Sequence, residues 1–170
     1  MNGRPTSGDT VVFACARDSG RAQMAAAFFN LLADPARATA FSAGVEPAER
    51  VHPEVVAAMK EVGVDLSAAQ PRLLTAEMMR GASLVVTMGC GEDCPYVLGL
   101  RMEEWPIGDP DGLPLERVRE MRDDVGLMVA HLVSIRRWVR GLQDRPPAVT
   151  GEARRRAFGR RRPRRPVASR

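Results

Sequence analysis

Three thiols and one guanidinium carry most of the reactive chemistry this sequence offers. Cys15 ends the apolar run "VVFAC", and six residues later Arg21 opens a run of helix formers, "RAQMAAAFF". Between them lies a short polar loop, "ARDSG". A loop that curls from a strand end into a helix start aims several backbone N–H groups at one point. Those groups have no partner inside the helix, and the helix dipole adds about half a positive charge. The product is a receptacle for a tetrahedral oxyanion, formed here by Ala16, Arg17, Asp18, Ser19, Gly20 and Arg21. Gly20 lets the backbone come close. Arg21 presents a planar fork to two anion oxygens. The same positive field is expected to lower the Cys15 pKa, and the thiolate is the nucleophile. The loop is not a nucleotide P-loop, because it lacks Gly-Lys-Ser/Thr. Taken alone, a free Cys is also just a small buried hydrophobe.

Displacement at a thiolate needs a proton donor for the departing oxygen. "PIGDPDG" offers Asp109 and Asp111, although Asp-Pro-Asp-Gly is on local grounds first a turn sequence. "MGCGEDCPYVLG" sets Cys90 and Cys94 four residues apart in a Gly-containing loop. A disulfide needs Cα atoms within about 7 Å, which one helical turn or a flexible loop can meet. Such a pair beside a reactive thiol suggests a relay by thiol–disulfide exchange. The rival is zinc on Cys15, Cys90 and Cys94. Structural zinc takes four ligands, and the fourth would be a lone His or an acid, so no metal and no bound cofactor are expected. His52, just before Pro53, reads as a helix N-terminal residue, and His131 falls within a long helix. Trp105, Trp138, Met78, Met79, Met121 and Met128 read as packing residues.

The surrounding elements must hold these groups together. "TVVFAC" (10–15) fits a buried strand. Residues 21–33 predict a helix with Met24, Phe28 and Leu31 on one face. A second strand falls near 38–43 and is closed by Gly44. A helix starts at Pro53, with Val55, Val56 and Met59 sharing a face and Gly63 as its C-terminal cap. "TAEMMRG" predicts a short helix with Thr75 as N-cap. "ASLVVTMG" is a third buried strand and "EEWPI" a short, Pro-limited fourth. From about 114 to 141 a long amphipathic helix shows a stripe of Val118, Met121, Val125, Met128, Val129, Leu132 and Ile135. Strands alternating with helices imply an α/β domain, a parallel sheet of about four strands covered on both faces. Ligands then sit beyond the carboxyl ends of the strands. Cys15, Cys90 and Asp109 all follow strand ends.

The chain has 170 residues, with 45% hydrophobic and 27% charged residues, enough for one domain with a core. Residues 1–9 read as an N-terminal extension, 10–142 as the domain and 143–170 as a disordered Arg/Pro-rich tail. The net charge of +4 misleads: residues 145–170 hold ten Arg and one Glu and carry +9, leaving −5 on residues 1–144. The tail has no interleaved aromatics beyond Phe158, so no specific nucleic-acid role is expected. The start has no apolar core of a signal peptide, and no run is long enough to span a bilayer. Three cysteines make no secreted disulfide scaffold. A cytoplasmic protein without membrane association is expected.

Together, "VVFACARDSGRAQMAAAF", "FSAGVEP", "VHPEVVAAMKEVGVDLS", "VVTMGCGEDCP" and "EEWPIGDP" resemble arsenate reductases of the low-molecular-weight tyrosine phosphatase superfamily. The resemblance spans residues 10–140 or so and excludes the tail. It implies that arsenate, or phosphate or sulfate as its analogue, sits in the loop on the amides of residues 16–21 and on Arg21. It implies that Cys15 attacks arsenic while Asp109 protonates the leaving oxygen. Cys90 then attacks Cys15, arsenite leaves, and Cys94 takes over Cys90. An external thiol, thioredoxin or a low-molecular-weight thiol, reduces the last disulfide. The family usually has a longer spacer between that pair of thiols.

Two residues depart from the family loop. Asp18 stands where Asn is usual, which adds a negative charge beside a dianion and a thiolate. That charge would raise the Cys15 pKa and weaken anion binding. Two unit charges at ~4 Å interact by about 4 kcal/mol at an effective dielectric of 20, and a quarter of that is about fivefold in binding. Ala22 stands where Ser usually donates to the thiolate, a loss of roughly 1.5–3 kcal/mol. Arg17, where the family carries an uncharged residue or His, would offset part of this. Two other readings share the frame. A tyrosine phosphatase would use Cys15, Arg21 and Asp109, but "DPDGLP" has no aromatic to hold a phenyl ring, and the thiol pair would have no task. A degenerate protein binding an oxyanion or arsenite without turnover would fit Asp18 and Ala22.

Overall fold

Alternating β-branched and apolar residues, set between short polar loops, give the chain its sheet. The computed structural model describes residues 8–141; the expected basic tail and most of the N-terminal extension lie outside them. Within them run β1 (Asp9–Cys15), α1 (Arg21–Leu32), β2 (Ala38–Gly44), α2 (Pro53–Glu61), α3 (Ala76–Arg80), β3 (Leu84–Met88), β4 (Met102–Glu104) and α4 (Leu115–Ile135). The four strands are all parallel, in the order β2-β1-β3-β4. The expected four-stranded α/β sheet is therefore present. Among the described residues no helix is long and apolar enough to cross a membrane.

Strand periodicity divides the core. Val11, Phe13 and Cys15 of β1, with Leu84, Val86 and Met88 of β3, face a cluster that includes Phe29, Val55, Met59, Val125 and Val129 of α1, α2 and α4. Val12, Ala14 and Val85 point the other way, to Leu74 and to Met79 of α3. Helices thus cover both faces, as parallel strands require. Thr75 caps α3 as expected, its Oγ1 accepting from the Met78 amide at 3.1 Å.

Three expectations shift in detail. In α1 the buried aromatic is Phe29, edge-on to Phe13, while Leu31 is exposed. The helix seats on Ala22, Ala25 and Ala26, whose small side chains leave no periodic signal. β4 ends at Glu104 instead of running through "EEWPI". Trp105 still donates its amide to Thr87, but Pro106 has no N–H to extend the ladder.

The long helix stops at Ile135 rather than 141, and Ile135 is exposed while Val133 is buried. Arg137 takes the left-handed conformation (φ +56°). The Trp138 amide donates to the Val133 carbonyl and the Arg137 amide to that of Ser134, a Schellman closure. This swings Trp138 onto Phe29, 5.5 Å between rings, with its indole N–H donating to Asp9 at 2.9 Å. Replacing Trp138 by Phe removes that hydrogen bond. It is expected to cost about 1–2 kcal/mol, read as a lower urea midpoint at unchanged slope.

Candidate active site

The parallel register brings the expected residues to one edge. Cys15, the last residue of β1, pairs with Gly44 on one side and Met88 on the other. The segments after β2 and β3 therefore both leave the sheet at the level of the thiol. The chain departs from β1 toward β2 and later returns on the opposite flank as β3. Such a switch point opens a crevice at the strand ends. Cys90 lies two residues beyond Met88, and Asp109 five residues beyond β4.

The loop of residues 15–21 is held from outside by its carbonyls. Those of Cys15, Ala16, Arg17 and Ser19 accept from the amides of Val45, Glu46, Ala48 and His52. With the carbonyls drawn outward, the N–H groups are left for the inside, which is the arrangement an oxyanion needs. The Asp18 amide donates to Cys15 Sγ at 3.2 Å. No side chain caps the N-terminus of α1, so its first amides stay available. Ser19 Oγ and His52 Nε2 stand 3.0 Å apart, which pins the loop to the start of α2. His52 is thus a helix N-terminal residue, as read, and also a loop support, which the sequence did not signal.

Arg21 is buried, and its Nη2 donates to Asp109 Oδ2 at 2.8 Å while Nη1 donates to the Ile107 carbonyl. Its Nε is buried without a partner among the described residues. Asp109 keeps a half-exposed side chain, and its other oxygen accepts from the Asp111 amide at 3.0 Å. Asp109 is therefore both turn former and Arg21 partner, while Asp111 serves the turn.

Cys15, Cys90 and Cys94 are free thiols. Cys15 is 2% exposed and Cys90 6%, with Cys94 partly buried beside Cys90 in the loop after β3. Burial pushes the Cys90 thiol far up, and the neighbouring Cys94 and Cys15 add to it. No three His, Cys, Asp or Glu side chains among the described residues converge as metal ligands.

The expected drop in the Cys15 pKa is not found. Burial raises it, outweighing the Ala22 and Asp18 amides and the Arg21 charge, and Asp18 adds to the rise. The Ala22 amide bears on the thiol, and its side chain has no hydroxyl to add a second donor. The loop supplies the right dipoles but closes water out, and in this balance desolvation wins.

Residues 10–134 match the model of the low molecular weight phosphotyrosine protein phosphatase family. The chain belongs to this family. It is 33% identical over 129 residues to an arsenate reductase of Staphylococcus aureus, covering 74% of this chain and 96% of that one. It is 35% identical over 127 residues to the glutaredoxin arsenate reductase of Synechocystis, covering 73% and 95%. Among solved structures it is similar to the thioredoxin-dependent arsenate reductase Cg_ArsC1' of Corynebacterium glutamicum, with a TM-score of 0.67 and 30% identity. That match covers 78% of this chain and 63% of the other, so this chain spans under two thirds of that protein's length.

This member of the phosphatase family also carries a support that the sequence pattern hid. A Cβ built on Gly44 would lie 2.7 Å from the Asp18 amide nitrogen and 2.9 Å from the Ala16 carbonyl. Gly44 was read as the end of a strand; its task is to let the loop backbone lie against β2. Gly44→Ala is expected to displace the loop and weaken sulfate binding at least tenfold, on the scale of about 1.4 kcal/mol. Calorimetric titration with sulfate, alongside an unchanged far-ultraviolet dichroism spectrum, checks it.

Proposed function

We propose that the protein is an arsenate reductase that works through Cys15, Cys90 and Cys94. The observation that carries this is the meeting, at one sheet edge, of a thiol in an oxyanion loop with Arg21, Asp109 and a second thiol pair. The named relatives support the substrate class. Arsenate binds on the amides of residues 16–21 and on Arg21, whose buried Nε is unpartnered for it. Cys15 gives up its proton, and the thiolate forms a sulfur–arsenic bond. An oxygen leaves as water, with Asp109 as the acid. Cys90, as thiolate, then attacks Cys15 Sγ. The sulfur–sulfur bond forms, and the electron pair of the broken sulfur–arsenic bond stays on arsenic, which departs as arsenite. Cys94 attacks Cys90 and frees Cys15. An external dithiol or low-molecular-weight thiol takes the Cys90–Cys94 disulfide back to thiols, and no bound cofactor is used. An odd set of three cysteines suits a reducing cytoplasm.

The family description favours one competing reading, a phosphatase. Against it, residues 110–114 carry no aromatic to grip a phenyl ring. Turnover decides between the two. With arsenate, NADPH should be consumed through a thioredoxin or a glutaredoxin–glutathione system. Hydrolysis of an aryl phosphate without any arsenate-dependent NADPH consumption would overturn the reductase in favour of the phosphatase. Sulfate binding with neither activity would leave an oxyanion-binding protein.

A further inference from the structure

Asp18 occupies the centre of the anion loop. It is fully buried, at 0% exposed, and lies in the left-handed region (φ +49°). Its Oδ2 accepts from the Arg72 amide at 2.8 Å, while its buried Oδ1 has no hydrogen bond closed to it among the described residues, although the Ser42 and Gln23 side chains stand near the carboxyl. The Arg72 carbonyl in turn accepts from the Gly44 amide, and that of Gly44 from Leu74. The carboxyl thus joins the anion loop to the segment beside β2. An ionised carboxylate has two oxygens that each want donors, and one here has none. A neutral carboxyl with one oxygen unpartnered costs far less to bury than a carboxylate in the same place.

We propose that Asp18 makes oxyanion capture conditional on a proton: the loop takes a divalent tetrahedral anion while the Asp18 carboxyl is neutral and releases it when that carboxyl ionises. This rests on the oxyanion-site reading above and deepens it.

The surroundings fit. From β1 the carboxyl faces Cys15, and from β2 it faces Ser42. From α1 it meets Gln23, and from the 70s segment the Arg72 main chain and charge. Arg17 and Arg21 flank it in the loop, and Ser19 links that loop to His52. Glu46, Glu92, Asp93, Asp109 and Asp111, the other carboxyls in the loops at this edge, are exposed. Despite Arg72, burial pushes the Asp18 pKa up to about 6. Below that value the carboxyl packed against Ser42, Gln23 and Arg72 is uncharged; above it, a buried negative charge lies next to the loop that must hold the anion. Asn in this place would hold the same shape without the charge.

The test is sulfate binding to the full chain carrying Cys15→Ser, so that no loop thiol titrates. Sulfate keeps its two charges from about pH 5 to about pH 8, a range in which an ordinary carboxyl is ionised and Asp18 is not fully so. With Asp18 present, affinity is expected to fall at least about fivefold across that range. With Asp18→Asn it should change by less than about twofold and stay high at the upper end. An equal fall in both proteins would overturn the proposal. Affinity independent of pH with Asp18 present would overturn it as well. No sulfate binding by either protein at any pH would overturn it together with the oxyanion-site reading. Asp18-dependent sulfate binding, together with no arsenate turnover by the protein that keeps Cys15, would uphold it while removing the reductase.

Discussion

Cys90→Ser is expected to abolish steady-state arsenite release, by on the order of 10³-fold or more, while sulfate affinity stays within about twofold. A hydroxyl cannot form the disulfide that expels arsenite, so the reaction halts after Cys15 has bonded to arsenic. The thiol replaced is 6% exposed and packs with Val12, Ala14 and Val85 rather than in the anion loop. Serine there leaves the loop's amides and Arg21 as they are. Cys94→Ser should fail one step later, after a single turnover, with the chain trapped as the Cys15–Cys90 disulfide. Peptide mapping of the trapped species by mass spectrometry separates the two. A Cys90→Ser protein that turned over at the unaltered rate with the same reductant would remove Cys90 from the reaction.

Arg21→Lys should be nearly as damaging, for a different reason. Nη2 holds Asp109 and Nη1 holds the Ile107 carbonyl, and in the proposed mechanism the buried Nε, unpartnered among the described residues, takes the anion. A lysine has the charge but a single head, and it cannot bridge acid and anion in one plane. Losing one preorganised donor to a developing oxyanion costs about 10²–10³ in rate, or roughly 3–4 kcal/mol. With Asp109 also released from its partner, kcat/KM for arsenate is expected to fall by at least about 10³-fold. Steady-state kinetics checks this. A drop under about tenfold would mean that the loop amides alone hold the anion.

What the sequence made legible was whatever local pattern encodes. Runs such as "VVFAC" and "LVVTM" fit buried strands, and their alternation with helices leads to a parallel sheet with its ends at one edge. That placed Cys15, Cys90 and Asp109 together before any coordinates. Non-local features were hidden. Nothing in "FSAG" says that Gly44 must make room for the loop, and nothing in "PRLL" says that the Arg72 amide will meet Asp18. The end of α4 was overrun because Arg137, not a glycine, takes the left-handed position. The balance at Cys15 is hidden in the same way: sequence shows which dipoles and charges surround a thiol, but not how much water is shut out.

The most direct measurement mixes the fully reduced protein with arsenate and no external reductant, then counts arsenite and free thiols in denaturant. Relay chemistry requires a single burst of arsenite, stoichiometric with the chain, and the loss of one pair among the three thiols. Mapping should then find Cys90 joined to Cys94. A protein that keeps all its thiols and releases no arsenite would contradict a relay built on Cys15, Cys90 and Cys94.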